Sequence, residues 1–363
     1  MARAVSLAKQ GLYTTDPNPR VGCVIVKDGM VVGEGFHLKA GEGHAEVNAL
    51  AMAGEKAKGA TAYVTLEPCS HFGRTPPCSD GLIKAGVSQV VCAMKDPNPQ
   101  VSGSGFIKLE NAGIHVLVGV LEEEARSLNP GFIKRMETGM PFVRLKMASS
   151  LDGRTAMASG ESQWITGPAA RSDVQKLRAR SSAVVTGIES ILQDDSSLTV
   201  RSKELGLEAS LADHIAQRQP LRVVLDSQGR IPKSAKVLQQ VGDTLIVVSH
   251  GVQIPFPVET LALNKGQKGL DLTELLKELA LKGCNEILIE TGATLAGQFV
   301  DQHLVDEMIL YIAPCFMGSD ARPMLNMPLQ KMADKKLLKV VDMRMVGNDM
   351  RLTLSFDRNL ITT

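Results

Sequence analysis

The chain has 363 residues, with 40 Lys and Arg against 39 Asp and Glu, and 44% of its residues are hydrophobic. That length suits two or three domains of ordinary size. The balanced charge lacks the basic excess of a nucleic-acid binder, and no stretch approaches the ~20 apolar residues of a membrane span. The six cysteines follow no disulfide framework, which predicts a reducing cytoplasm as the working compartment.

In chain order, residues 2–12 begin an amphipathic helix and not a signal peptide. Residues 21–27 and 31–36 read as strands that meet at Asp28-Gly29, a hairpin turn pair. Residues 44–53 place Val47, Leu50 and Ala51 at helical spacing. A strand follows over 62–66, a helix over 78–85 stopped by Gly86, a strand over 89–94, a helix over 106–112, a strand over 115–120 and a helix over 122–137. Thr138-Gly139-Met140-Pro141 interrupts the pattern, so the expected domains are 1–139 and 140–363. Beyond it, strands are expected over 142–147, 183–186, 222–226, 244–249, 286–290 and 307–313, and helices over 168–178, 272–281 and 293–301. The alternating segment 351–356 reads as an edge strand, and 202–219 and 250–269 read as loops or excursions. Alternation of helix and strand in both halves predicts two α/β domains, the first with one mixed sheet.

His44-Ala45-Glu46, Pro68-Cys69 and Cys78 form the pattern richest in chemistry. One imidazole and two thiolates make three ligands for zinc, and three protein ligands leave a fourth position open, the mark of a catalytic site. Glu46 stands two residues after the histidine, where a carboxylate can move protons. Cys69 and Cys78 lie beside prolines in a polar loop. Cys23, Cys92, Cys284 and Cys315 sit in or beside apolar runs and read as buried hydrophobes. A zinc peptidase needs an H-E-x-x-H helix, which is absent, and a closed zinc knuckle needs a fourth ligand, for which His71 is the candidate. Asp16-Pro17-Asn18-Pro19-Arg20-Val21 recurs as Asp96-Pro97-Asn98-Pro99-Gln100-Val101, either as two ordinary turns or as a paired ligand-binding feature. In the second half, Glu290-Thr291-Gly292-Ala293-Thr294-Leu295-Ala296-Gly297 runs from a strand through a glycine turn into a helix, whose N-terminus suits a phosphate. It is not the G-x-G-x-x-G dinucleotide fingerprint.

His-x-Glu followed by Pro-Cys is the signature of zinc nucleobase deaminases, except that eight residues separate Cys69 from Cys78 where the usual motif has two. That long spacer, with Thr65-Leu66-Glu67-Pro68-Cys69-Ser70-His71 and Gly73-Arg74-Thr75-Pro76-Pro77-Cys78, resembles the bifunctional riboflavin-biosynthesis deaminase–reductase family, RibD. The resemblance runs almost end to end. It implies a cytidine-deaminase-like α/β/α sandwich followed by a dihydrofolate-reductase-like α/β domain. The implied reactions are hydrolytic deamination of 2,5-diamino-6-ribosylamino-4(3H)-pyrimidinone 5′-phosphate and then NADPH-dependent reduction of the ribosyl group to ribityl. One Zn²⁺ per chain is implied on His44, Cys69 and Cys78, with Glu46 as the catalytic proton carrier. Asn18 matches an asparagine that orients substrate, and His71 with the 73–77 loop is expected to shape the pocket.

In the second domain the resemblance places Ala148, Trp164, Asp194, Ser227 and Gly292, Ala293, Thr294, Leu295, Ala296 and Gly297 near NADPH. Lys146, Ser162, Arg178, Leu198, Arg201 and Glu290 fall on the substrate side. Asp194 is the expected catalytic carboxylate, whereas Asp195 could cap a turn. Arg178 and Arg201 are expected to clamp the phosphate of the pyrimidine ribose substrate. Ser227 and Arg230 could read a 2′-phosphate, while Asp226 at a strand end argues for an unphosphorylated ribose. The expected partners are the small-molecule substrate and further copies of the chain in a homo-oligomer, a dimer being favoured, with no nucleic acid and no membrane. A nucleic-acid-editing zinc deaminase with an accessory domain is the alternative.

Overall fold

A computed structural model describes residues 1–71, 76–99, 101–266 and 268–356. It divides into two compact units, Met1–Met140 and Pro141–Thr363.

The first unit holds a five-stranded sheet in the order Met30–Phe36, Gly22–Lys27, Thr61–Val64, Gln89–Cys92 and His115–Val118. The first three strands pair antiparallel and the last three parallel. The hairpin turn is Asp28-Gly29, with φ of 51° and 77°. Both positive angles belong to the tight turn that matches strand twist. The helix Ala45–Ala53 lies on this hairpin. Ala45, Ala49 and Ala53 recur every fourth residue and are buried, as one helical face requires. Opposite them stand Gly33 and Gly35, where a Cβ would meet Ala49 O at 2.2 Å and Ala45 O at 2.4 Å. The small residues on both sides set the depth of this helix and therefore the position of His44 and Glu46.

The helix expected over 122–137 is two helices, Glu122–Leu128 and Pro130–Thr138. Pro130 has no N–H to continue the first helix. Asn129 leaves helical geometry and pairs its amide with the Arg20 backbone, accepting from N at 2.8 Å and donating to O at 2.9 Å.

The second unit is built on a nine-stranded sheet. Its order is Glu259–Leu263, Thr244–Ser249, Leu221–Leu225, Ala183–Gly187, Glu286–Glu290, Phe142–Ser150, Glu307–Ala313, Asp349–Ser355 and Lys339–Val346. The first seven run parallel, Asp349–Ser355 pairs antiparallel with the seventh, and Lys339–Val346 pairs antiparallel with Asp349–Ser355. Val184, Val224, Ile246, Leu288 and Ile309 from five strands form one core with Leu177 and Ile191. Central parallel strands are apolar on both faces, which is why 183–186 and 286–290 stand out in the sequence. One expectation fails, and two segments read as loops or excursions prove to hold regular structure. Asp349–Ser355 is an interior strand, and the edge is Lys339–Val346. Segments 202–219 and 250–269 contain the helix Ala209–Ala216 and the strand Glu259–Leu263. No described helix is long and apolar enough to cross a membrane.

Candidate active sites

His44 is the N-cap of Ala45–Ala53, and Cys78 is the first residue of the helix Cys78–Ala85. Cys69 lies in the segment after strand Thr61–Val64, held by Ser79 N and Ser79 Oγ, both donating to Cys69 O at 3.1 Å. Two helix N-termini thus converge on one point, where their partial positive charge favours thiolates. His44 Nδ1 is 3.2 Å from Cys78 Sγ and 3.6 Å from Cys69 Sγ. All three ligand atoms lie within 4.8 Å of one another, and His71 is not in the group. His71 is exposed. Among the described residues the donor set is therefore the open, three-ligand kind. Phe72, Gly73, Arg74 and Thr75 of the expected pocket loop lie outside the described residues, as does Gln100 of the second Asp-Pro-Asn-Pro copy.

The Cys78 thiol and then His44 and the Cys78 N–H, which donates to Cys69 Sγ at 3.3 Å, pull the Cys69 thiol down to about 4. Cys78 moves the other way, because a second thiolate beside Cys69 is repelled and buried. A divalent cation among the three reverses that repulsion. Glu46 is buried in the first helical turn, and burial with the Cys69 charge pushes its carboxyl up to about 7.

Asn18 stands at this site through His37. Its Nδ2 is 3.1 Å from His37 Nε2, and the His37 ring meets the His44 ring edge-on at 5.2 Å. The second copy reaches the same place by another route. The buried Glu67 carboxylate, two residues before Cys69, accepts from Asp96 N at 3.1 Å, Gly103 N at 2.9 Å and Gly105 N at 2.9 Å. Sequence reasoning missed His37 and Glu67. The available signals were a histidine closing a strand just before His44, and a carboxylate in an apolar run beside a ligand. Cys23, Cys92 and Cys284 are buried as expected; Cys315 is exposed.

In the second unit a cavity of about 1370 Å³ opens at the C-terminal ends of the parallel strands. Lys146, Ala148, Ser162, Trp164, Arg178, Asp194, Leu198, Arg201, Ser227, Glu290 and the turn Gly292, Ala293, Thr294 and Leu295 line it. Ala296 and Gly297 do not. They lie past the first half-turn of helix Ala293–Asp301 and face inward: Ala296 is fully buried, and a Cβ on Gly297 would meet Asn326 O at 2.3 Å.

Arg178 departs from the expected free clamp. Its Nε and Nη2 hold the Glu290 carboxylate at 2.6 and 2.9 Å, and Nη1 donates to Thr199 O at 3.1 Å. Burial pushes Glu290 up, but the Arg178 charge and hydrogen bonds hold its carboxyl below the usual range. Lys146 is part-buried beside this pair on the cavity wall, and desolvation pulls its pKa down against the pull of Glu290. Arg201 is half-exposed and paired with Glu204 at 2.6 and 2.7 Å. Asp194 accepts from Ser162 Oγ at 3.3 Å. Asp195 accepts from Lys236 N at 2.8 Å, at the start of helix Lys236–Gln239. Trp164 is exposed, with the Arg171 guanidinium 4.6 Å above its ring. Asp226 is fully buried, and its Oδ2 accepts from Ile231 N at 2.8 Å. It holds a turn and does not face a ribose.

An open His-Cys-Cys site with a buried glutamate, followed by a cavity at the ends of a parallel sheet, defines a zinc deaminase joined to a cofactor-dependent second domain. Comparison with known proteins agrees. Residues 1–94 match the cytidine and deoxycytidylate deaminase zinc-binding region, and residues 141–352 match the RibD C-terminal domain. The riboflavin biosynthesis protein RibD of Escherichia coli (strain K12) is 54% identical over 358 residues, 98% of each chain. That of Haemophilus influenzae is 51% identical, over 97% of this chain and 95% of its own. Among solved structures, Acinetobacter baumannii RibD superimposes with a TM-score of 0.90 at 49% identity, covering 98% of both chains. A diaminohydroxyphosphoribosylaminopyrimidine deaminase/5-amino-6-(5-phosphoribosylamino)uracil reductase from Thermotoga maritima does so at 0.85 and 35% identity, over 98% and 97%. The chain belongs to the RibD family.

Proposed function

We propose that the chain performs two consecutive steps of riboflavin biosynthesis in the cytoplasm. The first unit deaminates the diaminopyrimidinone ribose phosphate, and the second reduces the ribosyl group of the product to ribityl. The observation that carries this reading is the convergence of His44, Cys69 and Cys78 beside a buried Glu46, in a chain that matches RibD proteins along nearly its whole length.

The donor set fits zinc: one imidazole nitrogen and two thiol sulfurs, close enough together for one ion. Zinc bound there supplies Lewis-acid activation of water. Glu46 is held out of solvent with a carboxyl that exchanges a proton near neutrality, so it can carry one proton from water to the ring nitrogen and then a second, from the newly added hydroxyl, to the leaving amine. Asn18 orients the pyrimidine.

The second cavity has room for a dinucleotide and a substrate together. NADPH bound there supplies the hydride. The helix beginning at Ala293 turns its first N–H groups toward the cavity, suiting a phosphate. Trp164 and Ser227 lie along the cofactor side. Lys146 and Glu290 face the ribosyl group, with Arg178 fixing Glu290, and Arg201 takes the substrate phosphate. Asp194, which accepts from Ser162 Oγ on the cavity wall, is the carboxylate assigned to proton transfer.

We further propose a homodimer formed through the reductase unit. Incubating the protein with the diaminopyrimidinone phosphate, with and without NADPH, and weighing the products tests the function. Deaminated product is expected without NADPH and the ribityl compound with it; an unaltered substrate under both conditions would refute the reading.

A further inference from the structure

We propose that His37 is a positioning residue for deamination: its ring, held as the Nδ1–H tautomer, fixes the Asn18 amide so that Asn18 offers the pyrimidine an acceptor. This rests on the reading of Asn18 as a substrate contact.

His37 follows the strand Met30–Phe36, donates its own backbone N–H to Val21 O at 3.0 Å, and is 2% exposed. Its Nδ1 lies 3.1 Å from Gly43 O. A carbonyl only accepts, so Nδ1 must carry the proton. In the neutral ring Nε2 is then left as an acceptor. Among the described residues the side-chain partner at Nε2 is the Asn18 amide, with Nδ2 at 3.1 Å. Asn18 therefore donates to His37, and its Oδ1 is turned the other way.

The consequence is chemical polarity. An asparagine amide can present either a carbonyl or an NH₂, and the two ends have almost the same shape. With His37 in this tautomer the outward end is the carbonyl, which suits a ring N–H or an exocyclic amino group. With the other tautomer, the amide would have to turn over and offer a donor. Gly43 precedes the ligand His44, and the His37 ring packs on the His44 ring. One small network thus registers substrate recognition against the metal ligand.

The test uses the zinc-loaded full chain. Long-range ¹⁵N–¹H spectra of imidazole-labelled protein report the His37 tautomer, assigned by its loss in H37Q. Deamination KM and kcat are measured for H37F, H37Q, N18A and N18A/H37F, with zinc content and reductase activity confirming folded protein. The Nδ1–H tautomer is expected. H37F removes the Nε2 acceptor but keeps a ring, and should raise KM about three- to tenfold, the effect of one neutral hydrogen bond. H37Q retains a donor and an acceptor spaced like the two ring nitrogens and should raise it less. The double variant should be no worse than N18A. An Nε2–H or doubly protonated ring overturns the inference. So does an H37F enzyme less impaired than H37Q, which is the order a purely steric role gives. If N18A raises KM and H37F does not, the inference falls while the Asn18 reading stands; if N18A leaves KM unchanged, that reading falls and takes the inference with it.

Discussion

Glu46 and the arginine pair show how much burial and partners say about a side chain's role. Glu46 touches the ligand cluster without belonging to it. Glu46→Gln should therefore keep one zinc per chain, lose deamination by a factor on the order of 10²–10⁴, the usual weight of a general acid–base group, and still reduce the pre-deaminated aminouracil phosphate. Metal analysis beside the two assays checks this, and loss of zinc would make Glu46 a ligand. Arg178 and Arg201 look alike in the sequence and differ in the fold. Arg178 and Glu290 are only 11% and 10% exposed. Arg178→Ala takes both side-chain hydrogen bonds from the Glu290 carboxylate and leaves it the charges of Lys146 and Arg201, a change of up to ~3–5 kcal/mol, so the reductase unit should melt on the order of 10 °C lower. Arg201 sits in solvent with Glu204. Arg201→Ala should barely move the melting temperature and should raise KM for the aminouracil phosphate about tenfold, since a hydrogen bond to a charged group contributes ~1.5–3 kcal/mol. Calorimetry and reductase kinetics on both variants separate the two roles; equal melting temperatures would deny the burial argument.

At the scale of elements, what could be read in advance follows from how local each signal is. Helix starts at Cys78, Leu272 and Ala293 and the stop at Gly86 were legible because caps and periodicity are carried by adjacent residues. So was the cluster of His44, Cys69 and Cys78, which falls on two helix N-termini and one loop. The broken helix at Asn129 depends on a bond to Arg20, more than a hundred residues away, and only Pro130 hinted at it. The true sheet edge, Lys339–Val346, mixes apolar and charged residues without a clean period, so nothing local marked it as a strand. The turn after strand Leu221–Leu225 is the instructive failure. Asp226 suggested a ribose hydroxyl partner, but its carboxylate is buried under Ile231 N. That leaves as candidate readers of a 2′-phosphate Ser227, on the cavity wall, and Arg230, half-exposed, outside the cavity lining and paired with Glu189 at 2.6 Å. NADPH should then be preferred to NADH. Arg230→Ala should cut kcat/KM for NADPH about tenfold and leave NADH nearly unchanged; an equal loss with both cofactors would remove Arg230 from phosphate recognition.

For the whole molecule, the nine-stranded sheet ends in a strand that nothing among the described residues covers. Seven of the eight residues of Lys339–Val346 are exposed, and Val340, Val341, Met343 and Met345 stand 58–64% open to solvent. Side chains alternate across a strand, so both faces are bare, and one edge has unpaired backbone groups. Monomeric proteins blunt such edges with charge, proline or a covering element. Lys339, Asp342 and Arg344 supply some charge, but the apolar positions between them remain. Leu337, Leu338 and Met332, on the approach to the strand, extend the exposed apolar surface. A second copy meeting this ribbon about a two-fold axis gives each strand the same partner and closes the contact, as symmetric dimers do. The wild-type protein is expected to run as a dimer in sedimentation equilibrium at micromolar concentration. Val341→Lys with Met343→Lys places two like charges in each copy of the ribbon, four around the axis. That variant should sediment as a monomer, with the deaminase unit's activity retained because its site is built wholly from residues before Met140. A wild-type chain that stays monomeric, or a doubly charged variant that stays dimeric, would assign the ribbon to some other contact.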